Sequence, residues 1–317
     1  MQRLQPLLLA TVLVSLVVEL ALASWSPAAE PAKVLPARAN EASQRLSARS
    51  TPVRVATLLP WAGDAVQVAG PPAVLVAGVR RALHRPLPDG LLDLGHPHSP
   101  SLERLAEARP DLVIADASIH ARFVAPIEKL GARVLLLDSA SVEGTLASLS
   151  RIAGALGGST ALDARVEAVR RRLAELAGQS DASLVALFGA PGSFYVMTER
   201  AWLGDLARRL GFELAVKAEG DERFPGLVAI SDEAMAMARP DLVLLVAHGD
   251  SARIRAELER RTASGGAWAG LARARLGIHV LDPGLFSANP GLELVRAAET
   301  LVELGEPARA ATLGALR

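Results

Sequence analysis

Ser101-Leu102-Glu103-Arg104-Leu105-Ala106-Glu107-Ala108-Arg109-Pro110-Asp111-Leu112-Val113-Ile114 is echoed by Ser231-Asp232-Glu233-Ala234-Met235-Ala236-Met237-Ala238-Arg239-Pro240-Asp241-Leu242-Val243-Leu244. In both copies Ala-Arg-Pro-Asp-Leu-Val follows a short helical stretch, and a glutamate (Glu103 or Glu233) stands seven residues before the proline. Each copy obeys local rules: proline ends the helix, aspartate turns the chain, and the apolar run enters a sheet. The recurrence says more than either copy. It predicts two similar α/β lobes, and the cleft between two such lobes is where a ligand binds.

Outward from the first copy, Val53 to Leu59 reads as a strand ended by Pro60, and Ala73 to Val76 as another. Ala121 to Leu130 reads as a helix stopped by Gly131, and Arg133 to Leu137 as a strand. This β-α-β alternation predicts parallel sheets with helices on their faces. Thr145 to Leu156 is then a helix ended by Gly157-Gly158. Next, Leu162, Val166, Val169, Leu173 and Leu176 form a helical stripe, with Thr160 and Asp163 as its expected capping box. At ~1.5 Å per residue, Ser159 to Gly178 spans ~30 Å, enough to bridge two lobes. Around the second copy the pattern restarts, with strands at Leu184–Phe188 and Gly277–Leu281, helices at Ala201–Leu210 and Ser251–Thr262, and a closing helix over Gly291–Leu304. The expected organisation is a leader over 1–23, a flexible linker over 24–52, an N-terminal lobe over 53–157, a linker helix over 158–179 and a C-terminal lobe with the closing helix over 180–317.

The leader follows from a basic start, an apolar run from Pro6 to Leu22 and the small-x-small site Ala21-Leu22-Ala23. The linker is rich in Ala, Pro, Ser and Arg without a periodic apolar face. The 317 residues are half apolar and balance 34 basic against 34 acidic side chains, which argues against a nucleic-acid partner. With no cysteine, disulfides, thiolate catalysis, Cys-ligated zinc and iron–sulfur clusters are excluded, and no lipid can be attached to a cysteine after the leader.

Four stretches carry a resemblance across Val53 to Leu304. Two are the repeats. The third runs from Gly192-Ser193-Phe194-Tyr195 through Trp202-Leu203-Gly204-Asp205-Leu206 to Leu210-Gly211, and the fourth is Leu281-Asp282-Pro283-Gly284-Leu285-Phe286-Ser287-Ala288-Asn289-Pro290-Gly291. In their order the chain resembles the substrate-binding proteins of iron-siderophore, heme and cobalamin ABC importers. That resemblance implies an α/β fold of two Rossmann-like lobes joined by one long α-helix, the class III (helical-backbone) type of periplasmic binding protein. It implies a periplasmic monomer, not an enzyme, that captures a metal chelate and delivers it to an ABC permease dimer in the inner membrane. It also implies that Glu103 and Glu233, one per lobe, dock onto permease arginines. No resident cofactor or metal is expected; metal arrives inside the ligand.

Loops after strands or before the repeat helices supply the expected ligand-binding residues: Trp61, His96, His98, His120, Tyr195, Arg223, Phe224, His248 and Phe286. Aromatic rings stack on a macrocycle, arginine pairs with carboxylates, and Tyr or His can ligate heme iron. Histidines ahead of Glu103, where cobalamin binders carry a tryptophan, weigh against a corrinoid. Other readings stay open. A related subfamily binds free Zn or Mn through His, Asp and Glu, a role imaginable for His96, His120, His248 and Asp282. An exported α/β enzyme, such as a nucleotide-sugar transferase, would share the architecture, but no G-x-G-x-x-G follows the first strand and no P-loop lysine or G-x-S-x-G is present. A receptor-docking sensor would look the same in sequence.

Overall fold

The computed structural model describes residues 52–80, 87–217, 226–229, 231–263 and 265–315. The expected leader, nearly all of the expected linker, and Arg223 and Phe224 lie outside these residues. In the first lobe β1 (Val53–Thr57), α1 (Pro60–Ala69), β2 (Ala73–Gly78) and β3 (Leu92–Asp93) are followed by a small hairpin, β4 (Gly95–His96) and β5 (Ser99–Pro100). Then come α2 (Leu102–Ala108), β6 (Leu112–Asp116), α3 (Ala117–His120), α4 (Val124–Lys129), β7 (Arg133–Leu137) and α5 (Val142–Ala155). The bridging helix is α6 (Thr160–Leu176). The second lobe holds β8 (Ser183–Ala190), β9 (Ser193–Met197), α7 (Trp202–Arg209), β10 (Glu213–Leu214), β11 (Leu227–Ala229), α8 (Asp232–Met237), β12 (Leu242–Ala247), α9 (Ser251–Ala263), β13 (Ile278–Val280) and α10 (Pro283–Phe286), before the closing helix α11 (Leu294–Ala315).

The lobes have separate sheets. The first is parallel, in the order β3-β2-β1-β6-β7. The second runs β11-β9-β8-β12-β13, with β10 beside the start of β8. It departs from the all-parallel expectation, because β9 folds back antiparallel on β8 and β11 pairs antiparallel with β9. The turn Pro191-Gly192 permits this, Gly192 taking φ 82°. The central strands β6 and β12 are buried along their whole length, as apolar runs covered on both faces must be.

The two repeats share their caps, core contacts and strand ties, differing where α2 ends on Arg109 at φ 44° and α8 on an extended Ala238. Ser101 and Ser231 cap their helices, accepting from the N–H of Arg104 and Ala234. Leu105 and Met235, then Ala108 and Ala238, face the core. Asp111 accepts from the Arg54 N–H at 2.9 Å, and Asp241 from the Ser183 N–H at 2.9 Å. Each aspartate thus ties its strand to the neighbour on which the lobe is built.

Leu162, Val166, Val169 and Leu176 of α6 are buried, facing α1, α5 and α11. Its cap is Ser159, one residue ahead of the expected Thr160, accepting from the Leu162 N–H. One apolar cluster continues through α6 from Val53 and Leu112 of the first lobe to Leu184 and Leu301. Side chains also cross the seam. Asp205 of α7 accepts from the Val142 N–H that opens α5, at 2.8 Å. Asn289 donates to the Ser139 carbonyl at 2.8 Å and to Thr145 Oγ1 at 2.7 Å, and accepts from the Gly291 N–H. The chain therefore returns to the first lobe at 289–293 before α11 begins. A β-carbon on Gly291 would sit 2.8 Å from that of Trp61, and Gly291 holds φ 61°, so glycine is needed on both counts. Gly204 is forced similarly: a β-carbon there would lie 2.1 Å from the Thr198 carbonyl oxygen.

Candidate functional site

The candidate site is assembled from one tethered loop of the first lobe and one sheet face of the second. The loop is residues 96–98, the tip of the β4–β5 hairpin. Short as it is, it needs external support, and His120 at the end of α3 supplies it. Asp116 caps α3 with its carboxylate, accepting from the Ser118 and Ile119 N–H groups. That cap starts the helical stretch at Ala117, four residues before the expected Ala121. The turn carries His120 back under its own strand, where it is 1% exposed. Its Nδ1 accepts from the Asp116 N–H at 2.9 Å, and its Nε2 lies 2.8 Å from the Pro97 carbonyl oxygen. A ring accepting at Nδ1 and donating at Nε2 is neutral. Burial accordingly lowers the His120 pKa, and the Arg122 charge adds to this against the opposing pull of Pro97 and Asp116. Arg122 donates to the His98 carbonyl at 2.7 Å and lies 4.8 Å from the Phe123 ring centroid.

The tethers leave the imidazoles of His96 and His98 facing out, with ring centroids 5.3 Å apart. His96 Nδ1 accepts from the His98 N–H at 3.2 Å. Although His98 is exposed along one side, the packing around it pushes its pKa down to about 4, chiefly by desolvation. Cationic character at His96, His248, His120 and Arg122 acts in the same direction. His248, which belongs to the second lobe, is among the groups that lower it. Its pKa is lowered too, first by desolvation and then by His96.

His248 follows β12 and stacks on Phe188 of β8 at 5.5 Å between centroids. Phe188 is the direct cross-strand partner of Tyr195 on β9. Alternation along the strands puts these side chains on the same face as Leu184, Ala186, Leu244 and Val246, which belong to the core shared with the first lobe. Beyond the end of that packing, Phe188 and Tyr195 are half-buried and His248 is exposed, forming an aromatic floor. Such a floor, together with paired imidazoles, suits a ligand with a flat face and acidic groups.

The expected residues divide accordingly. His96, His98, His248 and Tyr195 are brought to this site, Tyr195 from a strand and not the loop expected for it. His120 is at the site but beneath its surface, with both ring nitrogens engaged. Trp61 and Phe286 do not line it. Pro60 starts α1 instead of merely ending β1, because its fixed φ suits the first helical position. That rotation drives Trp61 into the core, 1% exposed, against Gly291. Phe286 stacks on Trp202 at 6.1 Å inside the same core. Phe188 was missed because the last apolar residue of a strand reads as core; only its alternation with Leu184 and Ala186 signalled the face. Among the described residues no group of three His, Asp or Glu side chains is placed to hold a metal ion, and His120 has no free nitrogen for the free-ion role. Glu103 and Glu233 are exposed in the first turns of α2 and α8, away from the core faces of both helices.

The profile of the periplasmic binding protein family matches residues 51–265. The high-affinity heme uptake system protein IsdE of Staphylococcus aureus is 21% identical over 181 residues, covering 56% of this chain and 61% of the relative. The Fe(3+) dicitrate-binding periplasmic protein FecB of Escherichia coli is 31% identical over 153 residues, covering 47% of this chain and 49% of the relative. The matched segment thus spans about half to three fifths of these curated relatives. In three dimensions the chain is similar to S. aureus IsdE complexed with heme, with a TM-score of 0.68 at 16% identity over 80% of this chain and 98% of the other.

Proposed function

Because the chain belongs to the periplasmic binding protein family, whose members are binding proteins and not enzymes, we propose that it is the exported solute-binding component of an ABC importer. Its cargo in this reading is a metal chelate: an iron-siderophore, heme or corrinoid. What supports the proposal is the Phe188–His248 stack beside Tyr195 on the second lobe and the paired His96 and His98 rings on the first, which this reading takes as two walls of one site. The names of the relatives, one for heme uptake and one for ferric dicitrate binding, support the chelate class. Among the described residues no helix is long and apolar enough to cross a membrane.

Capture proceeds with little lobe movement in this reading. The shared core and the Asn289 and Asp205 bonds hold the seam, so the cleft is largely preformed and little ordering cost opposes binding. The imidazoles meet the acidic or metal-bearing side of the chelate while the floor stacks on its flat part. Delivery uses Glu103 and Glu233, one on each lobe, against basic side chains of the permease.

Thermal unfolding of the protein with heme, ferric citrate, iron-desferrioxamine or cobalamin tests the cargo. A ligand at about 100 times its Kd adds about 2.7 kcal/mol, an increase of roughly 4–5 °C for a chain of this size. No shift with any of the four would refute chelate capture. Docking is tested by the double variant Glu103→Ala, Glu233→Ala: transport by the reconstituted system should fall while chelate affinity in solution stays unchanged. A monomer is expected by light scattering.

A further inference from the structure

From Glu103 and Glu233 onward the two repeats are matched position by position in what they bury and what they expose, but not in chemistry; before that point Leu102 is half-buried and Asp232 exposed. Residues 103, 104, 106 and 107 are exposed on α2, and 233, 234, 236 and 237 on α8. The first and last of each set are one helical turn apart and share a face. On α2 that face carries Glu103 and Glu107. On α8 it carries Glu233 and Met237, with Ala234 and Ala236 beside them. Met237 is 78% exposed, whereas the other exposed large apolar side chains among the described residues lie at 39–44%. Nothing in the packing of α8 requires a large apolar residue there: Met235 supplies the buried one and is 0% exposed.

We propose that Met237 is an apolar docking anchor, so that the second lobe engages the permease through a carboxylate plus a buried thioether side chain and the first lobe through carboxylates alone. The occupant of this face is the membrane permease, presenting basic side chains to both lobes and an apolar pocket to the second. This rests on the docking role proposed for Glu103 and Glu233. Charge complementarity selects that partner, because Glu103, Glu107 and Glu233 have no ion-pair partner among the described residues. Methionine suits the task, since its flexible, polarizable chain fills an irregular pocket. The consequence is a division of labour. Exposed charges govern encounter and its salt dependence, and a buried apolar anchor governs the lifetime of the complex.

The test is the binding kinetics of the full chain, loaded with the chelate identified by thermal shift, to the permease that imports that chelate, held in lipid nanodiscs. Met237→Ala should raise the dissociation rate about ten-fold or more and leave the salt dependence of association unchanged. Met237→Leu should keep most of the lifetime, and Met237→Glu, which copies Glu107, should lose it. Chelate affinity should be the same in all three. Wild-type dissociation in Met237→Ala and Met237→Glu, with binding still weakened by Glu103→Ala, Glu233→Ala, would overturn the anchor and leave docking intact. Unchanged binding in every variant would overturn docking and the anchor together.

Discussion

Replacing His120 by alanine separates a histidine that positions the site from one that touches the ligand. In the folded chain the ring satisfies a buried donor, the Asp116 N–H at 2.9 Å, and lies 2.8 Å from the Pro97 carbonyl oxygen. His120→Ala orphans the N–H, costing about 1–3 kcal/mol, and releases the carbonyl to water at about 0.5–1.5 kcal/mol. The space left by the ring adds to this as far as the site fails to collapse. An overall loss of about 2–4 kcal/mol is expected, measured as a lower urea midpoint at unchanged slope. Because the ring tethers the 96–98 loop, chelate affinity should fall as well. A full-stability His120→Ala protein that has lost its chelate would refute the reasoning and place the ring against the ligand. Acid supplies a second readout. His120 is held neutral, so its folded pKa lies below the ordinary 6.5. The unfolded chain therefore takes up the proton first, and stability is full above about pH 6.5 and declines as pH falls. His120→Ala should remove its share of that decline.

His98 and His248 are shifted in the same direction, so the wild-type protein should lose urea stability progressively from about pH 6.5 toward pH 4, the value for His98; a flat profile would contradict the assigned burial. Gly291→Ala forces a non-glycine residue to φ 61° and a β-carbon to 2.8 Å from Trp61, and should cost about 2–4 kcal/mol in urea unfolding. Asn289→Ala leaves Thr145 and Ser139 short of a donor at the seam, and should lower stability by about 1–3 kcal/mol while speeding amide exchange at the start of α5. Phe188→Ala should weaken chelate binding at least as much as Tyr195→Phe if the floor acts by stacking; the reverse order, read by titration, would put the weight on the tyrosine hydroxyl.

The parts of the fold legible in the sequence are those that local chemistry controls. Pro110 and Pro240 end helices and Asp111 and Asp241 bind the neighbouring strand in any setting, so the repeat announced two α/β units. The stripe from Leu162 to Leu176 announced α6, because a helix must bury such a face somewhere. Residues near breaks were harder. Pro60 serves equally to end a strand or to open a helix, and only packing against Gly291 favours the helix that buries Trp61. The Pro191-Gly192 turn reverses β9, and no periodicity distinguishes that from a loop leading to a parallel strand.

Sequence alone determined the class: paired lobes, a stiff connector and a cleft expected between them, since these follow from periodicity and from residues that punctuate the chain. Tertiary structure decided which aromatic and histidine side chains stay at the surface of the candidate site and which are buried. Trp61 and Phe286 went to the core, His120 to a tether, and Phe188, Tyr195 and His248 to one open face. That choice depends on which surface each element turns toward partners far away in the chain, and burial against those partners outweighs any preference written into the neighbouring residues.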